Sequence, residues 1–292
     1  MIKNYFFIIN PVNHHKAKSL EMEIHSFFLN KKDKYQIKIS KNEKHLKKLA
    51  AVAIDLNVDV IIACGGDGTV SKIGQIIINK KVKLGIIPIG SGNGISSHFD
   101  IPYNFRKALK LIVKGKSKKM DIGKVGNKYF FSNIGFGIEV EFIRYYTQAK
   151  THGLLGYFPA FLKSLTSYKS SNFSIKTLDQ QVSIKPYVLM VSNTNKQGYG
   201  ISLSPKAKTD DGFLNMITIS KTNILNLLYL FVLVLFGFSI ENKKNVKYLE
   251  SRKFKIISEN HKMNIQIDGE FEILNKNELN ISVLPKAIDV LC

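Results

Sequence analysis

The chain has 292 residues, 45% of them hydrophobic, and only two cysteines, Cys64 and Cys292. At ~100 to 200 residues per domain that length is enough for two domains with real cores, while the cysteine count excludes a disulfide framework or a cysteine-built metal site and points to a reducing cytoplasm. The balance of 43 Lys+Arg against 22 Asp+Glu, a formal charge of +21, favours anionic partners such as phosphates or an acidic bilayer. Nucleic acid is not expected, because no recognition motif with interleaved Arg and exposed aromatics accompanies the charge.

The opening MIKNYFFIINPVN has too short an apolar run before Pro11 for a signal peptide and reads as a first strand, YFFIIN. A helix around KAKSLEMEIHSFFLN, a strand YQIKIS, a helix NEKHLKKLAAVAIDLN and a strand VDVIIAC follow. Then come a helix from about Thr69, a strand VKLGIIPIG and a helix NFRKALKLIVKG. Strands alternating with helices of this length imply βαβ units and a parallel sheet.

The charged segment KSKKMD reads as a boundary, and the pattern changes beyond it. DIGKVGNKYFFSNIGFG suggests a hairpin around Gly126-Asn127, and strand-like runs recur at FSIKTL, KPYVLMVSN, FLNMITIS, KFKIIS, NIQID and LNISVL. Two helical patches interrupt them, near residues 140 to 168 and at ILNLLYLFVLVLFGFSI, residues 224 to 240. The latter falls short of the ~20 residues of a spanning helix, so a buried or membrane-surface helix is expected. The resulting division is an α/β domain over 1–118, with a tail of about 286–292 able to return to it, and a mostly antiparallel β-rich domain over 119–285.

Two glycine-rich turns, CGGDGTVSK and PIGSGNGISSH, fall at successive predicted strand ends, where ligands bind in parallel α/β sheets. Glycines there let backbone N–H groups approach phosphate oxygens, and the following helix N-terminus adds its positive end. A carboxylate among such amides repels a phosphate, so Asp67 is expected either to hold a divalent cation or to accept from a ribose or substrate hydroxyl. No GxxxxGK[ST] loop and no HRD/DFG set is present, and GSGNG lacks the spacing of a dinucleotide fingerprint.

The succession of Asn10-Pro11, GGDGT, IPIGSGN, SNIGFG, PKAKTDDGFL and a late IDGE at residues 267–270 resembles the diacylglycerol kinase catalytic-domain family, which includes bacterial lipid kinases, sphingosine kinases and ceramide kinases. The resemblance covers essentially the whole chain. It implies an NAD-kinase/diacylglycerol-kinase-like α/β nucleotide domain, a β-rich lipid-substrate domain, and ATP-dependent phosphoryl transfer to a lipid hydroxyl with Mg²⁺. It further implies that Asn10, Gly65, Gly66, Asp67, Gly68, Thr69, Ser91, Gly92 and Asn93 line the nucleotide site. Asp268 is the implied catalytic base, with Glu270 orienting the base or a metal; Asp67 and Asp211 are the implied metal ligands.

Diacylglycerol, giving phosphatidic acid for phospholipid biosynthesis, is the expected acceptor. The alternatives are a sphingoid base, NAD, or weak binding without turnover. The expected setting is cytoplasmic and peripheral, at an anionic membrane surface, and a homodimer is compatible with it.

Several positions depart from the family pattern. Ser71-Lys72 stand where relatives carry Asn-Glu, and Gly137, with Glu139 two residues on, stands where many have Asp after Gly-Phe. Ser96-Ser97-His98 replaces Ala-Arg before His, His98 being expected at a helix start. Lys208 occupies an acidic position near Asp210 and Asp211, and His14, His15 and Lys16 follow the early Asn-Pro in place of Ser-Gly, offering donors to phosphate.

Overall fold

The computed structural model describes residues 2–10, 14–149 and 154–292. Pro11, and the side chains of His14, His15 and Leu154, lie outside what is described. The chain divides into two compact units, Met1–Met120 with Lys286–Cys292, and Asp121–Pro285.

The first unit alternates β1 (Asn4–Ile9), α1 (His14–Phe28), β2 (Lys34–Ile39), α2 (Glu43–Asp55), β3 (Val60–Gly65), α3 (Asp67–Ile77) and β4 (Lys83–Pro88), followed by α4 (Gly94–His98) and α5 (Phe105–Lys114). Strands β1 to β4 form a parallel sheet in the order β2-β1-β3-β4. Beside β4, the last residues of the chain add a parallel strand through Asp289↔Lys83 and Val290↔Leu84. Central strands buried on both faces need continuous apolar side chains, and β3 supplies them with all six residues buried. The helices turn one apolar stripe inward: α2 buries Leu46, Leu49, Ala50 and Ala53, the spacing of a 3.6-residue period. Asn42 starts α2 and Asn104 starts α5, each side chain accepting an amide in the first turn. Gly115, at φ 77°, ends α5 in the left-handed conformation that favours glycine.

The second unit takes over within β5 (Ser117–Val125), so the charged KSKKMD segment lies largely in a strand. It continues with β6 (Lys128–Phe130), β7 (Asn133–Gly135), α6 (Ile138–Thr147), α7 (Leu154–Ser167), β8 (Phe173–Lys176), β9 (Gln181–Ile184), β10 (Pro186–Ser192), β11 (Leu214–Ser220) and α8 (Ile224–Leu235). Strands β12 (Val246–Ser251), β13 (Lys253–Ser258), β14 (Met263–Ile267) and β15 (Glu270–Leu274) complete it, with the part of β16 (Glu278–Leu291) up to Pro285. One antiparallel sheet runs β12-β11-β10-β7-β14-β15, and the early part of β16 pairs with β13, which continues through β8 to β9.

Alternation along the strands separates two cores. Leu189 and Val191 of β10 and Leu214 and Met216 of β11 join a cluster with Phe254, Ile256, Ile265 and Ile281. The opposite residues Val188, Met190, Ile217 and Ile219 join Phe161 and Leu165 of α7 and Leu227, Leu230 and Val234 of α8. The sheet is thus covered on both faces, which is why KPYVLMVSN reads as a continuous apolar run.

Ile256 is fully buried in the first of these clusters. Ile256→Ala is expected to cost about 2–5 kcal/mol, read as a lowered denaturant midpoint. Leu178→Ala, at a position 69% exposed, should stay within about 0.5 kcal/mol of wild type.

Candidate active-site residues

In the first unit, Gly66 is the cap of α3 and has no side chain to offer its amides, so Asp67 is the first helical residue, two positions earlier than the helix start read from the sequence. Its carboxylate reaches the second glycine turn: Gly94 N–H donates to Oδ2 at 2.8 Å and Ile95 N–H to Oδ1 at 2.9 Å. Asp67 therefore caps the N-terminus of α4, a short helix that the Gly-Ser-rich sequence hid. Burial raises its pKa and those two amides pull it down. The protein's own backbone therefore supplies partners for both oxygens of the acid among the glycines.

The glycines are required by close approach. A Cβ on Gly90 would sit 2.4 Å from the Cα of Gly66 and 2.9 Å from Asn93 Oδ1, and one on Gly65 would sit 2.3 Å from Thr69 Oγ1. Asn93, buried and left-handed at φ 49°, donates through Nδ2 to the Gly90 carbonyl at 2.6 Å. Its Oδ1 is buried without a partner among the described residues. Ser91 is exposed and Gly92 half-buried.

Asn10, Gly66, Gly68 and Thr69 line a pocket of about 310 Å³ together with Glu43, Leu46 and Lys72. Asn10 Nδ2 donates to Thr69 Oγ1 at 2.8 Å, and Ser40 Oγ donates to Asn10 Oδ1 at 3.1 Å. Lys72 forms an ion pair with Glu43 at 2.8 Å, and Lys47 forms another with the same carboxylate at 2.7 Å. The hydrogen bonds from Lys47 and Lys72 bring Glu43 down to about 2. Glu43 was not singled out from the sequence, because only the fold brings α2 to Lys72. His98 ends α4 where the sequence suggested a helix start, and its ring meets Phe99 edge-on.

In the second unit, Asp268 and Gly269 are the two loop residues between β14 and β15, at φ 48° and 83°, positive values that suit a tight hairpin turn. The Asp268 carboxylate accepts from Phe131 N at 2.8 Å, Ser132 N at 2.7 Å and Asn133 N at 3.2 Å. The surrounding polar groups are linked: Gln266 donates to Asn133 Oδ1 and accepts from Gly269 N, while Ser132 Oγ meets Thr194 Oγ1. Glu270 is exposed at the start of β15. The SNIGFG and IDGE motifs are therefore two sides of one turn, although the most distant of these bonds joins residues 137 apart in the chain.

Glu139 folds back over the same region. Its Oε1 accepts from Phe136 N at 3.0 Å and Gly137 N at 2.9 Å, and its Oε2 is sealed from solvent. Burial pushes this carboxyl up to about 7 against the lowering pull of those amides. A Cβ on Gly137 would overlap the Tyr187 carbonyl at 2.3 Å, so the backbone here admits glycine alone without rearrangement.

Asp211 is exposed and accepts from Phe213 N at 2.9 Å, closing its own turn. Lys208 and Asp210 are exposed beside it. Among the described residues, no group of three or more His, Cys, Asp or Glu is arranged to hold a metal.

Residues 4–125 match the family described as the diacylglycerol kinase catalytic domain, and residues 132–292 match the YegS C-terminal NAD kinase beta sandwich-like domain. A protein named diacylglycerol kinase from Staphylococcus aureus (strain JH9) is 32% identical over 244 residues, covering 82% of this chain and 76% of that one. The corresponding protein of strain Newman matches equally. A putative diacylglycerol kinase from Bacillus anthracis str. Sterne superposes with a TM-score of 0.78 at 21% identity, over 99% of this chain and 97% of that one. Yeast NADH kinase complexed with NADH gives 0.59 at 10% identity, over 100% and 83% of the two chains. The two structures share the fold.

Two outcomes follow from the geometry. Asp67→Asn leaves one oxygen to accept an amide and turns an NH₂ group toward the other, which should destabilise the chain by about 1–3 kcal/mol without any ligand present, seen as a lower melting temperature. For Glu139 the folded pKa lies above the unfolded one, so its contribution to stability is present below about 4.5 and is lost as pH rises to about 7. Glu139→Gln, which keeps the acceptor for Phe136 and Gly137, should remove a pH-dependent loss of up to about 3 kcal/mol across that window, measured by denaturant titration at pH 5 and pH 8.

Proposed function

Because the chain belongs to the diacylglycerol kinase catalytic-domain family and is a lipid kinase, we propose that it transfers the γ-phosphoryl group of ATP to the hydroxyl of diacylglycerol, giving phosphatidic acid. The observation that carries this reading is the Asp268 carboxylate, presented on a two-residue turn and fixed by three backbone amides. A lipid hydroxyl is a weak acid, and its proton must leave as the new O–P bond forms and the bond to the β-phosphate oxygen breaks. In the proposed reaction Asp268 receives that proton. Three amides hold the carboxylate in one orientation, which presents it to the acceptor hydroxyl at a fixed place. Glu270, exposed at the start of β15, orients that base or a metal ion in this scheme.

The pocket beneath GGDGT is the proposed nucleotide site. Its volume of about 310 Å³ is at the lower end of the usual range for small-molecule sites, and the N-terminus of α3, with Gly66 and Gly68 in the lining, faces anionic oxygens favourably. Asn10 and Thr69 supply polar contacts, and Lys72 supplies a cation. The donor set suits Mg²⁺ arriving with the nucleotide, since that ion is usually held by one or two carboxylates, phosphates and waters. Asp67 is the carboxylate next to the phosphate-binding amides, and the ion would neutralise the phosphates. In the second loop Asn93 holds the turn through its bond to the Gly90 carbonyl, while Ser91, Gly92 and Asn93 are not part of this pocket's lining. The exposed Asp211 is not needed in this scheme.

The acceptor resides in a bilayer, and a net charge of +21 draws the protein to an anionic surface, so peripheral attachment is part of the proposal. Among the described residues no helix is long and apolar enough to cross a membrane.

The test is to incubate the purified protein with labelled ATP, Mg²⁺ and, separately, diacylglycerol, sphingosine and NAD. Label should enter diacylglycerol, and Asp268→Asn, which turns an NH₂ group toward at least one of the three amides and so should melt below wild type, should lower the turnover per folded molecule by about 10²-fold or more. Label in NAD or sphingosine alone would refute the assigned acceptor, and undiminished turnover in Asp268→Asn would refute the assigned base.

A further inference from the structure

Helices α7 and α8 of the second unit stack against each other through Phe161 and Phe231, whose rings lie 3.8 Å apart and nearly parallel. Each buries one stripe in the core beneath: Ala160, Phe161 and Leu165 from α7, and Leu227, Leu230 and Val234 from α8. A surface helix of a soluble domain ordinarily carries polar residues on its other side. Here the other side is apolar as well. On α8 and its end, Leu225, Tyr229, Val232 and Phe236 follow one another at helical spacing and are 76%, 48%, 43% and 76% exposed. On α7, Leu155, Phe158 and Leu162 do the same at 85%, 48% and 39%.

We infer that this outward side of α7 and α8 docks onto an anionic bilayer, its apolar side chains entering the boundary between headgroups and acyl chains. The charges near the patch select this occupant. Neither helix contains Asp or Glu, while Lys163, Lys221, Lys243 and Lys244 are exposed in or just beyond them. Lys243 Nζ lies 3.2 Å from the Tyr229 hydroxyl and 5.5 Å from its ring centre, and Lys163 Nζ lies 4.6 Å from the Tyr145 ring centre. Long lysines whose stems follow aromatic rings place their charges at headgroup level while the rings stay in the interface. Glu241, the acid nearest in sequence to α8, is tied to Lys206 at 3.1 Å.

The dimensions suit lying in the interface and not crossing it, since α8 has 12 residues and so spans about 18 Å of a core about 30 Å thick. The inference rests on the proposed lipid acceptor for its purpose, but its test does not need turnover.

The chain contains no tryptophan, so Phe236→Trp provides a single reporter. Its emission should shift to the blue, and be quenched by brominated lipid, on addition of vesicles containing phosphatidylglycerol, with weaker binding to phosphatidylcholine alone. Leu225→Glu combined with Phe236→Glu should weaken vesicle binding by about tenfold or more at an unchanged melting temperature. The same double variant should retain wild-type phosphorylation of dispersed short-chain diacylglycerol. Unchanged vesicle binding by the double variant, or emission from the Phe236→Trp reporter that is insensitive to vesicles, would overturn the assignment. So would a concentration-dependent dimer that the double variant dissociates, because the patch would then belong to a second copy. If the vesicle results hold while no diacylglycerol is phosphorylated by any form, the docking surface stands and the acceptor assignment fails.

Discussion

The pocket in the first unit depends on one contact: two turns at the ends of neighbouring parallel strands meet backbone against backbone, with the Asp67 carboxylate across the gap. Gly66 and Gly90 allow the approach, since a Cβ on Gly90 would lie 2.4 Å from the Gly66 Cα. Asp67 then satisfies two amides at the start of α4 that would otherwise lie buried without partners. A negative charge at a helix N-terminus is favourable, so the acid stabilises α4 where an incoming phosphate would elsewhere do so. The division of labour follows from electrostatics. The start of α4 is already neutralised from within, whereas the start of α3, capped by a glycine, opens on a pocket whose other charges are Lys72 and its partner Glu43.

The second unit repeats the device with a different geometry. Asp268 sits at positive φ, which Asp tolerates better than most residues, and its carboxylate gathers three consecutive amides from the segment leading into β7. Backbone donors give a rigid frame because they move only with the sheet, and β14 pairs with β7 directly beneath the turn. Gln266 and Asn133 reinforce that pairing with a side-chain bond across it. In both units an acid is positioned by main-chain amides, which fixes its location and limits the lone pairs left for a ligand.

Local patterns told much of this in advance. The βαβ alternation and the antiparallel strands of the second half are encoded by periodicity within a dozen residues, and the sequence order of GGDGT, GSGN and IDGE carried the family. What stayed hidden depends on partners far along the chain. The amides that bind Asp67 are 27 and 28 residues away, and those that bind Asp268 are 135 to 137 residues away. Strands β9 and β12 are half-buried edges or neighbours with mixed polarity, so alternation was too weak to mark them. Helix α4 was lost because Gly, Ser and Ser are poor helix formers, and the acid that starts it lies in another turn. Lys72 and Gly137 looked like departures without reason. The fold gives Lys72 a partner in Glu43 and leaves no room for a Cβ at Gly137.

The apolar stretch at 224–240 illustrates how burial alone can mislead a choice between core and surface. The outer side of the six-stranded sheet presents Val188, Met190, Ile217 and Ile219, and something must cover them. A helix needs only one stripe for that task, and Leu227, Leu230 and Val234 provide it. Folding therefore accounts for one side of the helix's apolar surface and gives no reason for Leu225, Tyr229, Val232 and Phe236 on the other. Polar residues at those four positions would leave the core intact and disfavour association in water. Their retention as apolar side chains, in a chain with a net charge of +21, is a cost in solubility that an enzyme working on lipids offsets only by putting the surface to use.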